Sequence, residues 1–290
     1  MTLTAAGQAP LCLPPRPLGA TMTLPTGTVD CHFHVFREGA PLATPRSYTP
    51  QILTLAHWMT FADAANISRG VLVQPSVYGF DNSVLLDALV AAPDRLRGIV
   101  VLPPGTPKAE LARLDRLGVR GVRINTRNKG GLSFDAVTAL AKEIAAFGWT
   151  LQFQVDPAQL NRIADFAPSL GVPVVIDHMG FIALDDRDAD KSVADLQRLL
   201  DAPQCYTKMS APYRLTQTSG YDAFGTALAA LVRSHPDRLL WGSDWPHTEL
   251  WADVPDDAEL IRHSIDWLGG DTVRRRVFVT TPTSLFFERT

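Results

Sequence analysis

The sequence predicts an α/β fold, a single (β/α)8 TIM barrel behind a short proline-rich N-terminal extension. Three observations carry that expectation. Eight short runs rich in apolar and β-branched residues recur along the chain, longer amphipathic stretches separate them, and glycine follows several of those stretches where a helix would end. Strands that are apolar almost throughout imply a parallel sheet covered on both faces, and eight strand–helix units need about 250 residues.

Residues 1–25 hold Pro10, Pro14, Pro15, Pro17 and Pro25, with Arg16 as their charged residue. They are expected to form an irregular extension, surface-hugging or disordered, with Met22 an alternative initiator. A signal peptide would need a basic n-region and a continuous apolar h-region, and both are lacking. The barrel is placed at 26–290. Its strands are expected at 27–32, 71–73, 98–101, 121–124, 150–154, 173–177, 206–209 and 238–242. Helical patterns lie between them at 81–92, 107–117, 134–147, 157–167, 193–200 and 221–234, and Gly118, Gly148 and Gly171 fall where helix C-caps are expected. An open doubly wound sheet of the nucleotide-binding kind would place a glycine-rich turn after an early strand, and none occurs.

Composition narrows the function class. Apolar residues make up 46% and charged residues 20% of the 290, so the chain buries a large core. A net charge of −3 gives no electrostatic case for nucleic acid or an acidic membrane as partner. No apolar run approaches the roughly 18 residues that span a bilayer. Cys12, Cys31 and Cys205 are an odd number in a chain too large to need staples. They predict a reducing, cytoplasmic setting without disulfides. A monomer or homodimer is expected.

In such a barrel the chemistry sits at the C-terminal strand ends. The first strand runs Val29-Asp30-Cys31-His32-Phe33-His34, and a period of two puts Asp30, His32 and His34 on one face. His178 follows the sixth strand, while Asp244 and His247 follow the eighth. A carboxylate next to an apolar strand must face the polar mouth and pair with histidines or a metal. Arg123, Arg127 and Lys129 gather around the fourth strand and Arg214 follows the seventh, a pattern suited to forked recognition of carboxylates. Ser76 and Tyr78 end the second strand, Gln154 ends the fifth, and Tyr48 lies in a proline-flanked loop. Each has a plainer reading: histidines satisfied at a strand end, Asp244 capping a turn before Pro246, Arg127 and Lys129 on a solvated face.

The order His-x-His, His, Asp resembles the amidohydrolase superfamily of (β/α)8 hydrolases. Val-Asp-Cys-His-Phe-His-Val-Phe, Val-Gln-Pro-Ser-Val-Tyr, Arg-Gly-Val-Arg-Ile-Asn, Val-Ile-Asp-His-Met-Gly and Trp-Gly-Ser-Asp-Trp-Pro-His are similar to its branch of 2-pyrone-4,6-dicarboxylate and sugar-acid lactonases. The resemblance implies a hydrolase that opens the lactone ring of a small carboxylated substrate. It implies Asp244 as the base for the attacking water, His32, His34 and His178 around the carbonyl oxygen, and Arg123 and Arg214 on substrate carboxylates. Ser76 and Tyr48 match further substrate contacts, and Tyr78, Arg127, Lys129, Gln154 and His247 complete the expected binding residues. A positioned base and imidazole donors aimed at a developing oxyanion suit those roles.

Two departures separate this chain from the pyrone dicarboxylate lactonase. Gln154 stands where that enzyme has tyrosine and many amidohydrolases have a metal-binding histidine, and Lys129 stands where it has a second arginine. His32, His34, His178 and Asp244 would suit one Zn²⁺ or Mn²⁺ ion. With Gln154 in place of a further ligand, the expectation is hydrolysis without a cofactor. The runner-up is a metal-dependent decarboxylase of an unsaturated or aromatic carboxylic acid. A lactone isomerase is disfavoured by Asp244, and a non-catalytic carboxylate-binding barrel gives the histidines and Asp244 no reason to converge.

Overall fold

In the computed structural model, which describes residues 9–20, 23–129 and 132–288, eight parallel strands pair in sequence order. They are β1 (Val29–Phe33), β2 (Arg69–Val73), β3 (Leu96–Val100), β4 (Val119–Asn125), β5 (Thr150–Gln154), β6 (Val174–Ile176), β7 (Cys205–Met209) and β8 (Leu239–Trp241). The seam between first and last closes just beyond β8, where Phe33 bridges Trp245. There Asp244 N–H donates to His32 O and His34 N–H to Trp245 O, both at 2.9 Å. Backbone bonds of the closure thus hold the first and eighth strand ends together.

Helices cover the outside: α1 (Leu55–Ala64), α2 (Ser83–Ala91), α3 (Lys108–Arg116), α4 (Val137–Ile144), α5 (Leu160–Phe166), α6 (Ala189–Leu200), α7 (Asp222–Ser234) and α8 (Asp257–Trp267). The short α9 (Asp271–Arg275) and α10 (Thr281–Phe286) follow. The helical pattern of the sequence does not single out α1, whose polar face is thin, with Asp63 its charged residue. Val29, Cys31, Val71, Val73, Ile99, Val175 and Leu240 form one apolar cluster with Phe286 of α10, while a larger layer packs strands against helices. Burial of this kind, at about 25 cal/mol per Å² of apolar surface, drives the barrel to close.

Two pairings depart from simple alternation: β3–β4 shifts between Gly98 and Ile99, and β1–β2 shifts at the site. The β1–β2 register shifts between Asp30 and Phe33, as it does where an extra residue bulges from a strand. Asp30 consequently leaves the face expected of it. It accepts from the α1 indole of Trp58 (3.3 Å) and from the Ser243 N–H (2.9 Å) and hydroxyl (2.6 Å). His32 and His34 stay together, with ring centroids 5.0 Å apart.

The described part of the extension has no helix, and its backbone is tied to two loops at the strand C-termini. Cys12 N–H donates to Thr49 O and Leu13 N–H to Leu250 O, each at 2.9 Å. Met22 lies outside the described residues. The three cysteines are buried and unbridged. No described helix is long and apolar enough to cross a membrane.

Candidate active site

His32 from β1, His178 after β6 and Asp244 after β8 converge at the mouth of the barrel. His32 Nε2 lies 3.8 Å and His178 Nε2 3.7 Å from Asp244 Oδ1, and all three side chains are buried. The backbone that delivers them is unusual: His178 (φ 50°), Asp244 (φ 59°) and His247 (φ 61°) are left-handed. Such residues cost on the order of 1–3 kcal/mol each and persist where the surroundings over-determine them. Gly242 lets β8 lie close, since a Cβ there would come within 2.8 Å of the His32 Cβ.

Asp244 is held from several sides. Its Oδ2 accepts from the Tyr213 hydroxyl at 2.6 Å and from Arg214 Nε at 2.8 Å, and Arg214 Nη2 donates to Thr248 O at 2.6 Å. Burial alone would raise the Asp244 carboxyl, but Arg214, followed by the three histidines, holds it well below the usual carboxylate range. The Tyr213 hydroxyl also meets His247 Nδ1 at 2.9 Å, and His247 Nε2 meets Asp257 Oδ1 of α8 at 3.1 Å. His247 therefore stands behind Tyr213, linking α8 to Asp244 rather than lining the cavity.

The imidazole protons follow from their partners. His34 Nδ1 lies 2.7 Å from Val73 O, which can only accept, so the ring carries its proton on Nδ1 and leaves Nε2 as a lone pair. Burial pushes His34 down to about 3 and His178 down to about 4, so both are neutral at pH 7. Beneath His32 lies a buried floor of charge. Lys208 Nζ, on β7, is 2.8 Å from Asp177 Oδ1, donates to Gln152 Oε1 at 2.7 Å, and is 3.1 Å from His32 Nδ1. An ammonium only donates, so His32 Nδ1 accepts and its proton sits on Nε2, a buried atom without a hydrogen-bond partner among the described residues. Burial opposes the Asp177 charge, and Lys208, His32 and Arg123 together hold its carboxyl well below the usual range.

Above these groups opens a small polar cavity. Tyr48, Ser76, Arg123, Gln154 and Arg214 line it, as do His34, His178 and Asp244. Arg123 donates to Gln74 O at 3.0 Å and to Gln154 Oε1, and lies 3.4 Å from Asp177 Oδ2. Tyr78 and Lys129 do not line it. The Tyr78 hydroxyl accepts the Arg37 N–H at 3.1 Å, and Lys129 is exposed, with its backbone N–H donating to Ser47 Oγ at 3.2 Å. Arg127 stands further out, ion-paired with Asp156, its guanidinium 4.0 Å from the Phe181 ring, on an open vestibule.

Several residues here escaped sequence reasoning: Asp177, Lys208, Tyr213, Asn128 and Glu249. A signal existed for two of them. A lysine inside the otherwise apolar β7 and an aspartate directly after β6 must be paired if buried.

His32, His178 and Asp244 also fit a divalent cation, because their ligand atoms lie within 4.8 Å of one another and His32 Nε2 is unpartnered. Two imidazole nitrogens and a carboxylate oxygen are a common zinc donor set. To serve it, His32 would carry its proton on Nδ1, where Asp177 Oδ1 at 3.4 Å is the acceptor. His34 stands outside this trio, so the expected set of four ligands reduces to three among the described residues.

The amidohydrolase family profile matches residues 29–287. The chain is 31% identical to a 2-pyrone-4,6-dicarboxylate hydrolase of Comamonas testosteroni, over 91% of each chain. It is also 31% identical to a 4-sulfomuconolactone hydrolase of Hydrogenophaga intermedia, over 99% of this chain and 98% of that one. Among solved structures it is similar to a probable 2-pyrone-4,6-dicarboxylic acid hydrolase of Acinetobacter baumannii with citric acid bound. That likeness has a TM-score of 0.81 and 28% identity, over 90% of this chain and 99% of the other. With its barrel, its His-x-His strand and its profile match agreeing, this chain belongs to the amidohydrolase family.

Proposed function

We propose that this protein is a hydrolase that opens the lactone ring of a small carboxylated substrate. The observation that carries the reading is Asp244, a buried carboxylate 3.7–3.8 Å from two imidazoles and bonded to Arg214 at the foot of a small polar cavity. The similarity to two lactone hydrolases supports it.

In this reading the lactone carbonyl oxygen sits among the histidines around Asp244: His178 lines the cavity, and His32, buried beneath it, holds an Nε2–H with no other partner. Asp244 takes a proton from water as the water oxygen attacks the carbonyl carbon. His34, with its Nε2 lone pair, accepts the second hydrogen of that water and orients it. The tetrahedral intermediate then breaks its ring C–O bond, and the proton held by Asp244 passes to the departing oxygen. Water is thus added across the ester. A substrate carboxylate that draws Arg214 toward itself removes the foremost cation beside Asp244, which makes Asp244 a stronger base once the ring is bound. Tyr48 and Ser76 supply hydroxyl contacts on the cavity wall. A divalent ion on His32, His178 and Asp244 would polarise the carbonyl and acidify water, but the donors present act without it, and we favour the metal-free reading. Three buried, unbridged cysteines support a cytoplasmic setting.

A second reading, metal-dependent decarboxylation, draws on the same trio. The deciding experiment is proton release from a panel of lactones, with and without chelator. Acid production that survives chelation supports the proposal, whereas CO₂ release without acid production, abolished by chelation, supports the decarboxylase and refutes it.

A further inference from the structure

Four charged side chains line the cavity: Arg123, Arg214, Asp244 and Glu249. Three of them have partners of opposite charge. Arg214 pairs with Asp244 at 2.8 Å, and Arg123 lies 3.4 Å from Asp177, which Lys208 also holds. Glu249 differs: among the described residues it makes no ion pair, and its Oε1 accepts from the Asn128 amide at 2.6 Å. A carboxylate has about four acceptor sites, so Asn128 leaves most of its capacity unused.

The position of Glu249 is controlled. It lines both the inner cavity and the outer vestibule, so a substrate reaching Asp244 passes it. Its backbone is left-handed (φ 60°), and its N–H donates to Cys12 Sγ at 3.2 Å, next to the Leu13–Leu250 backbone bond. The N-terminal extension thus fastens the segment that presents this carboxylate. An amide chain ties it to the opposite wall: Gln154 Nε2 donates to Asn128 Oδ1 at 2.6 Å, while Arg123 donates to Gln154 Oε1. The stretch of wall from Gln154 to Glu249 is therefore built of amides and an acid, groups that bind hydroxyls, with Arg123 and Arg214 at its flanks already engaged by Asp177 and Asp244.

We infer that Glu249 is a specificity-determining residue: its carboxylate accepts substrate hydroxyls and repels a second anionic substituent, so the preferred lactone carries one carboxylate and several hydroxyls. The inference rests on the lactone-hydrolase reading and narrows it away from doubly charged rings such as 2-pyrone-4,6-dicarboxylate. Like charges brought together in a site partly shielded from water reduce binding by about tenfold or more.

The test compares the full chain with Glu249→Gln and Glu249→Asp on two probes, galactarolactone (one carboxylate, several hydroxyls) and 2-pyrone-4,6-dicarboxylate. Both kcat/KM and calorimetric affinity are measured. The native protein is expected to favour galactarolactone by about tenfold or more, Glu249→Gln to shrink that ratio about tenfold, and Glu249→Asp to keep it by retaining the charge. A ratio unchanged in Glu249→Gln, or a native preference for the dicarboxylate, overturns the inference. If neither ring is opened, the lactonase reading fails by itself, and calorimetry still decides whether Glu249 discriminates between one and two negative charges. Circular dichroism confirms that each variant is folded before the ratios are compared.

Discussion

Replacing Lys208 with methionine tests the charged floor beneath His32. The substitution keeps an unbranched side chain one atom shorter and removes the ammonium that lies 2.8 Å from Asp177 and 3.1 Å from His32 Nδ1. Stranding one partner of a buried ion pair costs about 3–5 kcal/mol. Asp177 retains Arg123 Nη2 at 3.4 Å, and once the ammonium is gone the His32 proton can move to Nδ1, 3.4 Å from Asp177 Oδ1, which places the loss near the lower end, about 3 kcal/mol. At roughly 2–4 °C per kcal/mol for chains of this order, the unfolding midpoint falls by about 6–12 °C. The assay is thermal unfolding followed by circular dichroism at pH 7. Adding Asp177→Asn removes the stranded charge, so the double variant should be more stable than the sum of the single losses by about 1–3 kcal/mol. A shift under about 2 °C for Lys208→Met, or additive losses in the double variant, would refute the idea that this pair is held together by mutual charge.

Three further outcomes are expected. Asp244→Asn should lower kcat by about 10²-fold or more while ligand binding persists, because the proton acceptor is lost and the cavity wall is kept; near-native turnover would remove Asp244 as the base. Arg214→Met should raise KM for a carboxylated lactone far more than for a neutral one, and equal effects would sink its role as carboxylate clamp. The third concerns pH. Burial holds His34 down to about 3 and His178 down to about 4, against about 6.5 in the unfolded chain. As pH falls below about 6.5 the unfolded chain takes up protons that the folded one refuses, so stability is lost down to about pH 4 for His178 and about pH 3 for His34. Asp30, pushed up to about 6 by burial, contributes in the opposite sense, with stability that is lost as pH rises through about 6. Two histidines outweigh one carboxyl, so the urea midpoint of metal-free protein should be lower at pH 4.5 than at pH 7. An equal or higher midpoint would show that these imidazoles are not buried as neutral rings.

The barrel was legible because its signal is local. Runs such as Val174–Ile176 and Arg69–Val73 bury both faces of a parallel strand and therefore read as short apolar blocks. Because chemistry in this architecture sits at strand ends, His32, His178 and Asp244 could be picked out by position, and the structure brings them within 4.8 Å. Position misled at Tyr78, which also follows a strand, because its hydroxyl serves the Arg37 N–H instead of the cavity. Alternation misled at Asp30, because the register shift in β1 depends on pairing with β2.

What sequence alone determined is therefore periodic or positional: strand count, helix spacing and the polar residues that end each strand. What tertiary structure decided is pairing between groups far apart in the chain. Lys208 meets His32 across 176 residues, and the Cys12 thiol takes the Glu249 N–H across 237. Such contacts decide which imidazole nitrogen carries the proton and which carboxylate is left without a direct ion pair. They leave no local pattern, because the energy of a buried charge depends on what surrounds it in space.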